Sequence, residues 1–588
     1  MENAYSAILA TVNQGNAMPK TVGIGIQDFR KVIERDCFYI DKTLFLKEWW
    51  DSQDDVTLIT RPRRFGKTLT VSMTEQFFSV RYKDSGWMFE QLAIWKEEKY
   101  RRLQGTYPVV TLSFARVKGS TFSLVREKIC QILTDVYQRH TFLLDGDLLT
   151  DAEKAYFRLV TDKMEDAVAE IACNRLSEYL ARYYGKKVIL LLDEYDTPMQ
   201  EAYVNGYWKE MAEFIQSMFT AAFKDNPYLE RALLIGITRI SKESVFSDLN
   251  HIKVITTTSK KYQTAFGFTE QEVFDALEAY GLADKKQEVK QWYDGFQFGD
   301  CASIYNPWSV INYLDEREFD DYWVNTSSNK LVEQLIGKSG ADVKRIMEHL
   351  LNGESFQTKI DENIVYSDLS TDESAVFSLL LASGYLKVRD CFINSRAEKE
   401  YVLALTNREV ACMFRRMVRN WFAVCSSNYN DFIKALLAGD LEAMNAYINR
   451  VALATFSTFD TGRKPSQDAE PERFYHGFFL GLSVELSDRY TITSNRESGF
   501  GRYDVMFEPT DSFGNGIVIE FKVHAPSKEK SMEDTVSAAL LQIIEKKYAL
   551  KLEAKGIPKG RIRIYGFAFR GKEVKIGGGW LADFEGGI

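Results

Sequence analysis

Residues 56–73 read VTLITRPRRFGKTLTVSM. Val56 to Thr60 are apolar or β-branched and predict a buried strand. A tight turn follows, and a helix opens at Gly66-Lys67-Thr68. A strand that ends in Gly-Lys-Thr and turns into a helix is a phosphate cradle. Backbone N–H groups and the helix N-terminus face the phosphate oxygens, the Lys67 ammonium reaches the terminal phosphates, and the Thr68 hydroxyl takes a Mg²⁺. The consensus G-x-x-x-x-G-K-[ST] has glycine where this chain has Arg61. Arg63, Arg64 and Phe65 complete the turn beside the nucleotide. Pro62 adds no donor but stiffens the turn. The three guanidiniums either contact phosphate or pin neighbouring acids such as Asp196.

Outward from this loop, residues 188–198 read VILLLDEYDTP. Five apolar residues that end in Asp193-Glu194 describe a fully buried parallel strand with acids at its carboxyl end, where open α/β sheets bind their ligands. Asp193 is placed to hold Mg²⁺ and Glu194 to polarise the attacking water. Some 125 residues separate Thr68 from Asp193, which leaves room for a strand and helices between them. That suits the P-loop branch in which an extra strand separates the two motif strands. Residues 232–237, ALLIGI, predict a third strand, with Thr238 at its end as a sensor of the γ-phosphate. Arg239 can pair with phosphate, act as an arginine finger or bond a neighbouring carboxylate.

The 588 residues exceed one core, and three or four domains are expected. Hydrophobic content of 45% and charged content of 27% fit a globular protein, and a net charge of −9 excludes an all-over nucleic-acid coat. Seven scattered cysteines form no C-x-x-C pair, which points to a reducing compartment and against structural zinc. With no signal peptide or membrane-length apolar run, a cytoplasmic location is expected. Before the loop, residues 1–20 read as a flexible arm, with a helix over 28–34, a strand over 38–40 and a helix from Lys42. After the loop, a helical stretch fills 121–184. The P-loop ATPase domain is assigned 21–265. A helical lid, with the helix–turn–strand pattern of a winged helix over 373–388, takes 266–400. A helical connector takes 401–467, and a linker at 468–471 opens the last domain, 468–588.

That last domain carries a second chemistry. A helix from Glu472 and a strand over 490–494 precede a strand containing Asp504. A hairpin then leads to IVIEFKV, residues 517–523. Side chains alternate along a strand, so Glu520 and Lys522 share a face. Asp504 and Glu520 together can hold Mg²⁺, a cation that prefers carboxylate oxygen, and Lys522 can orient or deprotonate water or steady charge on phosphorus. A helix over 535–550 with Gln542 inward, then a strand over 562–567, complete the element order of the PD-(D/E)XK nuclease fold. His476 is read as packing. From Lys522 to Ile576, thirteen Lys and Arg stand against six Asp and Glu, a local excess on which nucleic-acid phosphate can dock.

The runs YIDKT, RPRRFGKT, LLDEYDTP, GITRI, WYDGF, YNPWS, FYHGFFLGL, SNRESGFGRYD and IEFK occur in an order that resembles the bacterial AAA-ATPase-like proteins with a C-terminal PD-(D/E)XK nuclease-superfamily domain. The resemblance spans residues 22–569, and in that family RPRRFGKT is the usual form of the loop. It implies an α/β P-loop ATPase fused to a nuclease, with ATP and Mg²⁺ as cofactors and nucleic acid, DNA before RNA, as partner. Nucleotide state would control the nuclease. Defence against mobile DNA and assembly into a homo-oligomer are compatible with this architecture. The rival reading is an ATP-driven switch or oligomerising signalling protein whose nuclease-like module binds without cleaving.

Overall fold

The computed structural model of the chain describes residues 20–224, 226–239, 251–326, 332–333, 335–336, 341–361, 373–421, 426–459, 478, 480–482, 484–498, 501–511, 514–526, 529–570 and 573–585. These divide into two compact units. One holds the described residues up to Trp323 together with Ala382–Gly384, and the other holds the rest from Val324 onward. Among the described residues no helix is long and apolar enough to cross a membrane. The expected arm, the linker over 468–471, Glu472 and His476 lie outside the described residues, save Lys20.

The first unit is built on five strands: β1 (Val56–Thr60), β2 (Val109–Ser113), β3 (Val188–Asp193), β4 (Leu229–Gly236) and β5 (Ile252–Ile255). All neighbours are parallel, in the order β2-β3-β4-β1-β5. β1 and β3 are buried at every position, which is why their sequences run apolar without alternation. β4 lies between them, as the spacing of the motifs predicts. Its register sets Gly236 opposite Thr60 and Ile235 opposite Asp193. The carboxyl ends of β1, β3 and β4 therefore meet at one edge.

Two expectations change here. The strand over 38–40 does not form, and Phe38 N–H instead donates singly to the Thr21 carbonyl (2.9 Å). The stretch 121–184 is three helices, Phe122–Gln138, Asp151–Leu159 and Asp166–Tyr184. The second starts afresh on a reciprocal Thr150–Glu153 cap, which satisfies helix-end N–H groups and breaks the run. Beyond β5, short strands β6 (Phe268–Thr269), β7 (Phe296–Phe298) and β8 (Cys301–Tyr305) form an antiparallel sheet in the order β6-β8-β7. The Phe65 ring packs edge-on against Phe296 (4.8 Å) and Phe298 (5.3 Å). This sheet thus forms the floor of the phosphate loop.

In the second unit, helix Ala341–Leu351, β9 (Phe356–Thr358), helix Glu373–Ala382 and the hairpin β10 (Leu386–Ile393)–β11 (Lys399–Leu405) follow one another. These three strands form one antiparallel sheet in the order β10-β11-β9. Helices Ser426–Ala438 and Leu441–Phe459 come next. The last sheet is β12 (Tyr490–Ser498), β13 (Gly501–Pro509), β14 (Gly516–Val523), β15 (Ile562–Arg570) and β16 (Glu573–Trp580), in chain order. Only β14 and β15 pair in parallel, joined through helix Met532–Glu545. Two-stranded parallel pairing requires such a crossover.

Candidate nucleotide and nuclease sites

β1 ends at Thr60, and the chain turns through 61–66 into helix Lys67–Phe78. Gly66 takes a φ of +78°, open to glycine at no steric cost, while Arg64 (φ +64°) and Glu194 (φ +52°) hold the same left-handed region at a cost. Both the phosphate turn and the acid turn thus carry backbone strain. The Thr68 hydroxyl donates to Asp193 Oδ2 (2.8 Å), joining the two motifs directly. Asp193 Oδ1 is buried and has no hydrogen-bond partner. A buried carboxylate oxygen left bare is costly in a closed protein and is what a hard cation would take up. Burial pushes the Asp193 carboxyl up to about 6, against the pull of the Thr68 bond. Burial likewise draws the Lys67 ammonium down to about 8, opposed by Glu194, Asp193 and Asp196. Lys67 Nζ donates to the carbonyls of Arg61 (3.0 Å) and Pro62 (2.7 Å), curled into the loop it would open to receive phosphate.

The arginines part company. Arg61 is fully buried, and no acid offsets its burial. Its Nη1 donates to the carbonyls of Thr60 (2.8 Å) and Thr256 (2.7 Å), its Nη2 to that of Tyr262 (3.3 Å), and its guanidinium lies 4.4 Å over the Phe298 ring. Burial alone pushes it down to about 9. Arg61 is therefore a strut that ties β1 to the segment after β5. Arg64 stacks 4.3 Å over Trp308, and Glu194 lies within electrostatic reach of it. The Arg63 carbonyl accepts from Asn306 Nδ2 (3.2 Å) and Trp323 Nε1 (3.0 Å). Asn306 also caps helix Pro307–Glu316, so the YNPW turn and Trp323 brace the phosphate loop from outside. The signal in the sequence is a polar residue before Pro in an aromatic turn.

Asp196 does not meet an arginine. Its Oδ2 accepts from Ile237 N (3.1 Å), Thr238 N (2.8 Å), Thr238 Oγ1 (2.8 Å) and Gln200 Nε2 (2.9 Å). Tyr195 Oη donates to the Thr238 carbonyl (2.6 Å). Thr238 thus sits at the meeting edge, held from two sides, and half-buried Arg239 follows it.

In the second unit, antiparallel pairing of β13 with β14 sets Asp504 beside Glu520. Phe521 N–H donates to Asp504 Oδ2 (2.7 Å). Lys522 Nζ donates to Gln542 Oε1 (2.7 Å), and Gln542 Nε2 donates to Glu520 Oε1 and to Tyr548 Oη (3.0 Å). Glu520 Oε2 is buried with no partner, the same bare oxygen that Asp193 offers in the first unit. Burial raises both acids, the neighbouring Asp504 raises Glu520 further, and Lys522 opposes both shifts. Two buried acids side by side favour sharing one proton or one cation over each carrying its own charge. Tyr548, one helix end beyond Gln542, was not read from sequence.

A parallel sheet with a Gly-Lys-Thr turn joined to a strand-end Asp defines a P-loop nucleotide hydrolase fold. An Asp and an E-x-K on adjacent strands of a mixed sheet define a nuclease-type fold. Residues 23–246 match the family described as predicted AAA-ATPase, and residues 470–578 match the PD-(D/E)XK nuclease superfamily. The chain therefore carries an AAA-ATPase-like domain and, at its C-terminal end, a PD-(D/E)XK nuclease-superfamily domain. It is also 26% identical, over 558 residues, to the "Uncharacterized protein in vnfD 5'region" of Azotobacter chroococcum mcd 1, covering 92% of this chain and 95% of that one. Domains of these two families generally use nucleotide and a divalent metal, and a nuclease-type domain implies nucleic acid as substrate.

Proposed function

We propose that this protein is a Mg²⁺-dependent ATPase whose nucleotide state controls a metal-dependent nuclease acting on DNA. The observation that carries the reading is the pair of bare, buried carboxylate oxygens, Asp193 Oδ1 and Glu520 Oε2, each beside the residues its chemistry needs. In the first unit Lys67 and the N–H groups of 63–68 bind phosphate, and Thr68 and Asp193 would hold the metal. Glu194 takes a proton from the attacking water. In the second, Asp504 and Glu520 would hold the metal and Lys522 orients water or steadies charge on phosphorus. A divalent ion would supply charge neutralisation and a more acidic bound water. A bare buried oxygen on each side favours this over a nuclease-like module that only binds.

The test is cleavage of plasmid, linear and single-stranded DNA and of RNA, with Mg²⁺ or EDTA, and with ATP, ADP or no nucleotide. Cleavage of DNA that needs Mg²⁺, responds to nucleotide and disappears in Lys522→Ala supports the reading. Cleavage that persists in Lys522→Ala removes the assignment of the second site, and Mg²⁺-independent cleavage removes the metal.

A further inference from the structure

Asp196 lies three residues beyond Asp193, buried to 1% exposure, and belongs to neither the phosphate loop nor the metal pair. One of its oxygens accepts four hydrogen bonds, and two of them come from Thr238 alone, through N and Oγ1. A third comes from Ile237 N, the residue before it. The Tyr195 hydroxyl completes the grip by donating to the Thr238 carbonyl. Backbone N–H, backbone C=O and side chain of one residue are thus all fixed by the Tyr195-Asp196 pair. The close approach is possible because residue 236 is glycine. A Cβ there would lie 2.6 Å from Asp196 Oδ1 and 2.6 Å from the Tyr195 ring. Asp196 also lies within electrostatic reach of Lys67, so the cluster borders the phosphate loop.

The direction of the hydroxyl bond matters. The Thr238 hydroxyl proton points to Asp196, so its oxygen presents lone pairs elsewhere. A group that senses γ-phosphate oxygen must donate. A hydroxyl turned in this way can instead accept from the attacking water.

We infer that Asp196 is a positioning residue for ATP hydrolysis, turning the Thr238 hydroxyl into an acceptor that orients the nucleophilic water. This inference rests on the ATPase reading above. In the step it serves, one water proton passes to Glu194 while the other is held on Thr238 Oγ1. The water oxygen bonds to the γ-phosphorus, the bridging bond to the β-phosphate breaks, and ADP leaves. The Glu194 proton then returns to phosphate or solvent.

The test uses the full chain, with steady-state hydrolysis measured beside equilibrium binding of fluorescent ATP and ADP. Asp196→Asn and Thr238→Val should each lower kcat by about a hundredfold, the order seen when a reacting group is misplaced by about 1 Å. ATP and ADP affinities should stay within about threefold of the parent. The double variant should be no slower than Thr238→Val, because the two side chains act as a unit. Thr238→Ser, which keeps the hydroxyl, should restore most of the rate. A selective loss of ATP over ADP affinity would assign the hydroxyl to the γ-phosphate and overturn the inference, as would additive losses in the double variant. If Asp196→Asn does not fold, Thr238→Val and Thr238→Ser carry the test alone. Absence of hydrolysis by the parent protein would count against the ATPase reading, a separate outcome.

Discussion

Arg61 stands where the phosphate-loop consensus has glycine, and its side chain runs away from the phosphates into a cage of three carbonyls and an aromatic face. Two of those carbonyls belong to residues 195 and 201 positions downstream. No local pattern reveals such partners, and so the sequence left the arginines between phosphate and acids. The consensus-restoring change Arg61→Gly should therefore weaken the site. Three bonds from a charged donor are lost at about 1–3 kcal/mol each, and a lower melting temperature with weaker ATP binding is the expected result. Tighter ATP binding would show that the strut is dispensable. Thr68 and Asp193, by contrast, were legible: Thr68 follows Gly66-Lys67 where the helix opens, and Asp193 closes a strand whose apolar run announces it. Asp193 also yields a pH prediction. Burial raises its folded pKa from the ordinary 3.8 to about 6, so the folded acid is protonated below about pH 6. In the ligand-free protein the buried charge costs about 3 kcal/mol above that pH, and the cost fades as pH falls toward the unfolded value. A cation needs the carboxylate. The Mg²⁺-dependent part of nucleotide affinity should accordingly drop about tenfold at one unit below pH 6. A flat profile of Mg²⁺ titrations between pH 5 and pH 8 would contradict it.

Helix Leu441–Phe459 does what neither composition nor periodicity announced. Asn445 and Asn449, one turn apart, each exchange two hydrogen bonds with the outer edge of β16. Their Nδ2 groups donate to the carbonyls of Ile576 (2.9 Å) and Val574 (2.8 Å), and their Oδ1 atoms accept from the N–H groups of the same residues (2.8 and 2.9 Å). An open strand edge is a template for pairing with another chain, and here side-chain amides close it. Sequence reading placed this helix in a connector, and β16 itself went unread because Gly577, Gly578 and Gly579 dilute its strand pattern. The strand of the second candidate site was easier: IVIEFKV is apolar, β-branched and bounded by turn residues, and its alternation sets Glu520 and Lys522 on one face. The partner of that face, Gln542, follows from helix position, while Tyr548 does not. Replacing Asn445 and Asn449 together by Ala leaves four backbone groups unpaired and should cost about 1–3 kcal/mol per group that water cannot reach. Lower melting of the variant, with light scattering that grows with concentration, is the expected signature. Unchanged melting and scattering would mean that water satisfies the edge.

At the scale of the whole chain, the two chemistries are joined by covalent continuity at a telling place. Trp323 is the last residue of the first unit before the chain enters the second at Val324, and its indole N–H donates to the Arg63 carbonyl of the phosphate loop. A loop that shifts when Lys67 leaves the carbonyls of Arg61 and Pro62 for phosphate shifts the acceptor of that bond. On the proposed reading, nucleotide state would act through this bond on the point where the chain departs. Coupling of this kind requires a group whose interaction differs between the two states, and on the proposed reading the Trp323 bond would be that group. Trp323→Phe keeps the aromatic packing on Phe296 (5.4 Å) and removes the donor alone. ATP hydrolysis in this variant should stay within about threefold of the parent, since one neutral hydrogen bond is worth about 1 kcal/mol. DNA cleavage, measured with and without nucleotide, should lose its dependence on ATP while keeping its dependence on Mg²⁺ and Lys522. Lys67→Ala serves as the reference for a nuclease cut off from nucleotide altogether. If Trp323→Phe cleaves with the parent's full nucleotide response, the signal does not leave the phosphate loop by way of the Arg63 carbonyl.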